Sequence, residues 1–195
     1  FSPSRFQRWK QWLSEPVDIR PLVFFRMLFG LLMAIHCFYA LYSGAVFHKF
    51  IEPPFTFNYI GFDWLQPLPG NGMYYFYAGM GLAALLVMAG ALYRLSSFCL
   101  ALLWSLQYGM QKVDYNNHYY LILLIAWILF LSPANRLFSV DAWKRPSLCQ
   151  NQCHLIWLWL FLFQTSVLFV FAAINKLDGD WVSGRFLRIQ FSRFG

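Results

Sequence analysis

The run Leu155-Ile-Trp-Leu-Trp-Leu-Phe-Leu-Phe-Gln-Thr-Ser-Val-Leu-Phe-Val-Phe-Ala-Ala-Ile174 holds no charged residue over a length that crosses a bilayer, and then it stops. Asn175, Lys176, Asp178 and Asp180 follow at once, with Trp181 behind them. An ionisable cluster where a hydrophobic span leaves the membrane is either an anchor or a site. A lone lysine anchors, because its stem lies along lipid while the ammonium reaches water. Two carboxylates within four residues of it need another explanation, since an anchor requires none. A second polar cluster, Asn116-Asn117-His118, is the natural partner to look for.

Working outward, the composition agrees with a membrane environment. The chain has 195 residues, of which 59% are hydrophobic and only 12% charged, about half the charged share of a soluble domain. The apolar residues come in long runs rather than short periodic stripes. The net charge is +7, but the Lys and Arg residues follow hydrophobic boundaries. That pattern belongs to membrane orientation and argues against a nucleic-acid partner.

Length then divides the chain. Residues 1–20 form an interfacial segment in which Arg5, Arg8 and Lys10 make a basic face and Phe6, Trp9 and Leu13 an apolar one at helical spacing; it is expected to lie on an anionic leaflet. Pro16 and Pro21 break the chain before the first span. Residues 21–184 form an all-α transmembrane domain, a bundle of five helices with spans near 22–42, 73–92, 95–110, 117–131 and 155–174. Within the first span, Arg26 is placed to snorkel, and His36 near mid-depth is expected to make an interhelical hydrogen bond. Gly79, Gly81, Ala83, Ala84, Ala89 and Gly90 mark the second span as a close-packing helix. Tyr93-Arg94 reads as a tight turn, Ser132 to His154 as a polar loop, and no segment as a sheet. Residues 185–195 read as the start of an extracytoplasmic region. With Phe1 first and no terminator before Gly195, the chain reads as truncated at both ends.

Cys149, Cys153 and His154 have a loose metal-ligand spacing but lack a fourth ligand, so no metal is expected. Cys37 and Cys99 read as small buried hydrophobes. Orientation follows from Lys and Arg counts. Arg5, Arg8, Lys10 and Arg20 precede the first span, Arg94 lies between the second and third, and Arg136, Lys144 and Arg145 lie between the fourth and fifth. The N-terminus is therefore expected in the cytoplasm. By parity the aromatic loop 43–72, the 116–118 cluster and the 176–180 cluster share the extracytoplasmic face. A lysine at the hydrocarbon edge loses hydration, which makes it a candidate general base. His118 can relay a proton, and Asn117 can hold a carbonyl. Spacing alone leaves a catalytic site and a polar packing cluster equally open.

Tyr115-Asn-Asn-His-Tyr-Tyr-Leu121, Ala134-Asn135, Ser139-Val-Asp141 and Lys176-Leu-Asp-Gly-Asp-Trp181 resemble the vitamin K-dependent gamma-carboxylase family, as do Val23-Phe-Phe-Arg-Met-Leu-Phe-Gly30 and the Pro67-Leu-Pro69 turn. The resemblance runs in order from about residue 20 to residue 190 and covers the family's membrane domain, also found in bacterial homologues. It implies oxygenation of a reduced vitamin K-type naphthoquinone to its epoxide, with oxygen and carbon dioxide as co-substrates. The base so generated takes a glutamyl γ-proton, and the carbanion adds carbon dioxide. Lys176 and His118 are implied as catalytic residues; Asn116, Asn117, Asp178, Asp180 and Trp181 are the substrate-side candidates. Implied partners are membrane lipids, quinol and a glutamate-containing protein substrate.

Two departures matter. The family carries a large extracytoplasmic C-terminal region that helps bind the substrate protein, and this chain stops at Gly195. Animal members have a cysteine in the first outer loop, where this sequence has the aromatic run Phe55 to Tyr59. The competing expectation is a non-catalytic membrane subunit of a larger complex built on the same bundle. A transporter would want mid-membrane charges and inverted repeats, which the sequence does not offer.

Overall fold

The computed structural model describes residues 5–53, 55, 57, 59, 61–112, 116–177 and 179–192, with Phe6, Asp180, Phe186 and Gln190 described by backbone alone. Its elements in order are α1 (Arg5–Leu13), β1 (Pro16–Asp18), α2 (Arg20–Tyr42), a π-helical turn (Phe47–Ile51), α3 (Gly72–Ala89), α4 (Tyr93–Met110), α5 (Asn117–Leu131), α6 (Val140–Lys144), a 3-10 turn (Pro146–Leu148), β2 (Gln152–His154), α7 (Leu155–Asn175), α8 (Gly179–Val182) and α9 (Arg185–Ser192). Among the described residues, three helices are long and apolar enough to cross a membrane: α2, α3 and α7. The 18 residues of α4 include Arg94, Ser96, Ser97, Ser105 and Gln107, which dilute its apolar character. α5 is uniformly apolar after its first turn but has only 15 residues.

Successive helices pack as neighbours, α2 on α3, α3 on α4, α4 on α5 and α5 on α7. The α2–α3 pair is antiparallel and backbone-close. A Cβ on Gly30 would stand 2.6 Å from the amide nitrogen of Met88 and 2.8 Å from the carbonyl of Ala84, and one on Gly81 would meet the Phe38 ring at 2.9 Å. Small residues therefore sit where helices touch, as expected when packing rather than water drives association. Gly79 is not among them; nothing lies within 4 Å of a Cβ there. On the α4–α5 side, the Tyr93 hydroxyl donates to Leu129 O (2.5 Å) and Trp104 Nε1 to Tyr119 O (3.2 Å), again antiparallel.

α7 instead runs beside α2 in the same direction. Phe25 packs on Phe161 (4.7 Å between ring centroids) and Trp12 of α1 on Trp159 (5.1 Å). The segments ahead of both helices pair antiparallel, with Pro16 opposite His154, Val17 opposite Cys153 and Asp18 opposite Gln152. This ribbon corrects the reading of no sheet. Three-residue strands are too short to leave a period-two signature, and their pairing depends on partners 134 to 138 residues away. In the ribbon Cys153 is buried, which pushes its thiol up, and His154 Nδ1 sits 2.9 Å from Ser14 O.

The bundle thus has two ends. One gathers the starts of α2, α4 and α7 with the ends of α3 and α5, and carries Arg20, Arg94, Arg136, Lys144 and Arg145; it is called the basic end here. The aromatic end gathers the opposite termini and the 43–71 loop.

Several expectations change at the basic end. Arg26 does not snorkel. It is wholly buried, and its guanidinium donates from Nη1 to Ala134 O (3.1 Å) and from Nη2 to Phe138 O (2.6 Å). The 132–154 stretch is not a plain polar loop but folds back over the helix ends as α6, a 3-10 turn and β2. The turn before α4 lies at 90–92 rather than at Tyr93-Arg94, which already belong to the helix. Gly90 ends α3 with φ +64°, and a Cβ there would meet Arg26 Nη1 and Ser139 Cβ, each at 2.4 Å. Only glycine satisfies both constraints. His36 makes ring contacts edge-on with Trp104 (5.5 Å) and Tyr119 (6.0 Å) in place of the expected interhelical hydrogen bond.

Candidate functional site

At the aromatic end, Asn116 is the N-cap of α5. Its extended backbone (φ −143°, ψ 135°) lets Oδ1 accept from the amide of His118 at 2.9 Å. The same oxygen lies 2.8 Å from His118 Nδ1. An amide oxygen can only accept, so Nδ1 carries the proton in this contact. In the neutral ring Nε2 is then the free acceptor. Asn116 thus caps the helix and fixes the imidazole tautomer with one atom. Asn117 follows as the first helical residue, and all three side chains are exposed.

Lys176 is the C-cap of α7, exposed, with its backbone amide donating to Ala173 O at 3.0 Å. Its Nζ stands over the Trp181 ring at 5.4 Å, a cation–π contact that ties the lysine to α8. Asp178 and the side chain of Asp180 lie outside the described residues. α5 and α7 are neighbours, and the start of α5 and the end of α7 belong to the same end of the bundle. The fold therefore brings His118 and Lys176 to one end on adjacent helices.

The start of α5 lies against the last turns of α4, where Tyr120 packs on Tyr108 (6.3 Å between ring centroids) and Trp104 Nε1 donates to Tyr119 O. Over this pair lies an apolar cavity of about 730 Å³, roofed by Tyr59, Phe62, Trp64 and Leu65 of the loop and walled by α4 and α5 residues including Tyr108, Leu123 and Trp127. Tyr59 stacks on Tyr108 (5.8 Å, 24° between planes), and Lys112 Nζ lies 5.9 Å over the Tyr59 ring. Trp127 Nε1 donates to Ser105 Oγ at 3.0 Å. The Tyr59 hydroxyl is buried and has no hydrogen-bond partner among the described residues. A buried hydroxyl left unpaired costs about 1–3 kcal/mol, so a ligand oxygen there would be welcome. Neither His118 nor Lys176 lines this cavity.

Sequence reading missed this lining. Tyr59, Trp64, Tyr108 and Trp127 look like membrane-face aromatics when read along the chain, and Lys112 like a loop charge. The one signal was the aromatic density of the loop. The family model described as the HTTM domain matches residues 14–194 of the chain, and no solved structure matches it.

Proposed function

We propose that the chain, which belongs to the HTTM family, the membrane domain of vitamin K-dependent gamma-carboxylase and its homologues, is a membrane enzyme that oxygenates a reduced naphthoquinone to its epoxide and couples this to carboxylation of glutamyl residues. The observation that carries the reading is the aromatic cavity with its Tyr59 hydroxyl, unpartnered among the described residues. Its volume lies within the usual range of about 300–1,000 Å³ for small-molecule sites. Flat aromatic walls suit a fused-ring ligand, and one buried donor suits a ring oxygen. When bound and oxygenated, the quinol supplies a base strong enough to take a glutamyl γ-proton.

The roles of the chain's own residues follow. Tyr59 and Tyr108 hold the ring, and the Tyr59 hydroxyl orients one oxygen. Lys176, at the same end of the bundle but outside the cavity wall, is the base for a quinol hydroxyl and takes its proton through a relay rather than by direct contact. His118, its tautomer fixed by Asn116, uses Nε2 to relay a proton, while Asn117, Asp178, Asp180 and Trp181 serve the substrate side. Lys112 is the amine on the cavity wall, so comparing Lys112→Ala with Lys176→Ala separates ring binding from proton transfer.

The same proposal takes α4 and α5 as spans, giving five. At about 22 Å from the helical rise, α5 is short for a hydrocarbon core of about 30 Å. The polar start at Asn116–His118 is then a site entered from the membrane rather than a failed span. Residues 21–184 form the membrane domain, with α1 on the cytoplasmic leaflet and 185–195 outside; the Lys and Arg distribution supports this orientation. Ser147→Cys and Glu52→Cys should label from the cytoplasmic and the outer side respectively, and the reverse pattern would invert the topology.

A second reading, a non-catalytic subunit, draws on α7. None of its residues is fully buried, so a helix bearing the family's key lysine offers its surface to lipid or to another protein. The deciding experiment supplies reduced naphthoquinone, oxygen and bicarbonate to the protein in nanodiscs and measures epoxide. Epoxide formed by the wild type and abolished by Lys176→Ala supports the enzyme. No epoxide, with a larger complex retained through purification, supports the subunit.

A further inference from the structure

We propose that the basic end carries a binding site for the headgroup of an anionic glycerophospholipid, independent of the chemistry at the aromatic end. A cavity of about 470 Å³ lies between the start of α4 and the α6 region, lined by Arg94, Arg136, Lys144 and Arg145 together with Asp141 and Asn135. Four cations face one carboxylate, and that carboxylate is already committed. Asp141 Oδ1 accepts from Leu92 N and Oδ2 from Tyr93 N, both at 2.9 Å, and Oδ2 also from Asn135 Nδ2 at 3.2 Å. The amides of Leu92 and Tyr93 at the start of α4 are therefore filled from within, and the charge offered to an anion is that of the side chains. Arg94 Nη1 donates to Phe130 O, and Arg136 Nη1 to Gln150 Oε1 (2.5 Å). A guanidinium has five N–H donors, so both keep donors to spare. The Lys144 and Arg145 side chains are exposed and have no hydrogen-bond partner among the described residues.

Such a cluster suits a phosphate. What selects a lipid over free phosphate is the continuation of the cavity. Leu92, 64% exposed, and Leu95, 60% exposed, line it. Leu95 begins a stripe with Phe98 and Leu102, exposed down one face of α4. Trp143, 81% exposed beside the cavity, adds an interfacial aromatic. A head held by four cations with acyl chains laid along α4 uses both parts. Basic pockets at helix ends recognise anionic headgroups in this manner.

The test uses the full chain in nanodiscs of phosphatidylcholine, titrated with fluorescent phosphatidylglycerol. The Lys144→Gln/Arg145→Gln double variant removes two exposed charges without touching the packed core. It should weaken phosphatidylglycerol binding about thirtyfold, in keeping with about 1 kcal/mol for each of two basic residues near the surface, and leave phosphatidylcholine exchange unchanged. Arg5→Gln/Arg8→Gln, which removes two charges from α1, should change it less than threefold. Equal losses from the two pairs, or none from the first, would overturn the site in favour of general surface charge. Millimolar inorganic phosphate should not displace the lipid; displacement would reassign the cavity to free phosphate.

Discussion

The two ends of this bundle handle polar groups in opposite ways. At the basic end, Arg26, Tyr93, Asn135, Ser139 and Asp141 direct their hydrogen bonds to backbone and to one another, with Arg26 Nε the one of their atoms left buried without a partner among the described residues. The Ser139 hydroxyl donates to Asn135 O and accepts from Ala142 N at 3.0 Å, so it caps α6 while tying down the turn before it. Two non-glycine residues with positive φ, Leu92 and Phe138 (both +45°), are held here, each in a conformation that persists only where its surroundings over-determine it. At the aromatic end, Asn116, Asn117, His118 and Lys176 are exposed, and the Tyr59 hydroxyl is buried without a partner among the described residues. Motif residues of similar polarity thus divide by use. Those of the basic end hold the fold, and those of the aromatic end keep capacity for a ligand.

The sharpest way to break this contrast is Arg26→Met. It leaves Ala134 O and Phe138 O without their donors in a buried site and should cost about 3–5 kcal/mol, read as a fall in the thermal midpoint in detergent. A stability close to wild type would mean that the turn is held by other contacts. Lys176→Ala should do the reverse, lowering quinol epoxidation by about 100-fold or more while the melting curve shifts by less than about 0.5 kcal/mol. A small exogenous amine that restores part of the rate would identify the missing group as a base. Asp141→Ala removes the acceptor for the first amides of α4 and should cost about 1–2 kcal/mol, measured by denaturation, with quinol affinity unchanged. Asn116→Ala should cost about 1 kcal/mol as a lost cap and should also slow turnover, because His118 loses its tautomer lock; a stability loss without a rate effect would make Asn116 a cap and nothing more. Tyr59→Phe should leave stability level or slightly higher, since it removes an unpaired buried hydroxyl, and raise the quinol KM several-fold, about 1 kcal/mol of one hydrogen bond. Tighter binding in that variant would remove Tyr59 from the site.

The sequence by itself determined what composition and run length can carry. A lipid environment rewards every apolar residue alike, so α2, α3 and α7 are legible as unbroken runs close to their observed limits. The order of motifs was legible too, and with it the family, because motif identity is a property of the chain. The cap at Asn116 could be read locally, since an N-cap acts on amides two or three residues ahead. What the tertiary structure decided depends on partners far along the chain. Arg26 near the start of a span is an ordinary snorkelling candidate until carbonyls 108 and 112 residues away close over it. Gly90 reads as part of a small-residue stripe until Arg26 and Ser139 occupy the space where its Cβ would stand. Tyr59, Tyr108 and Trp127 line one cavity only because the 43–71 loop folds over the α4–α5 pair. Which helices a loop covers is set by which side chains interlock far along the chain, and a single chain read in order has no term for it.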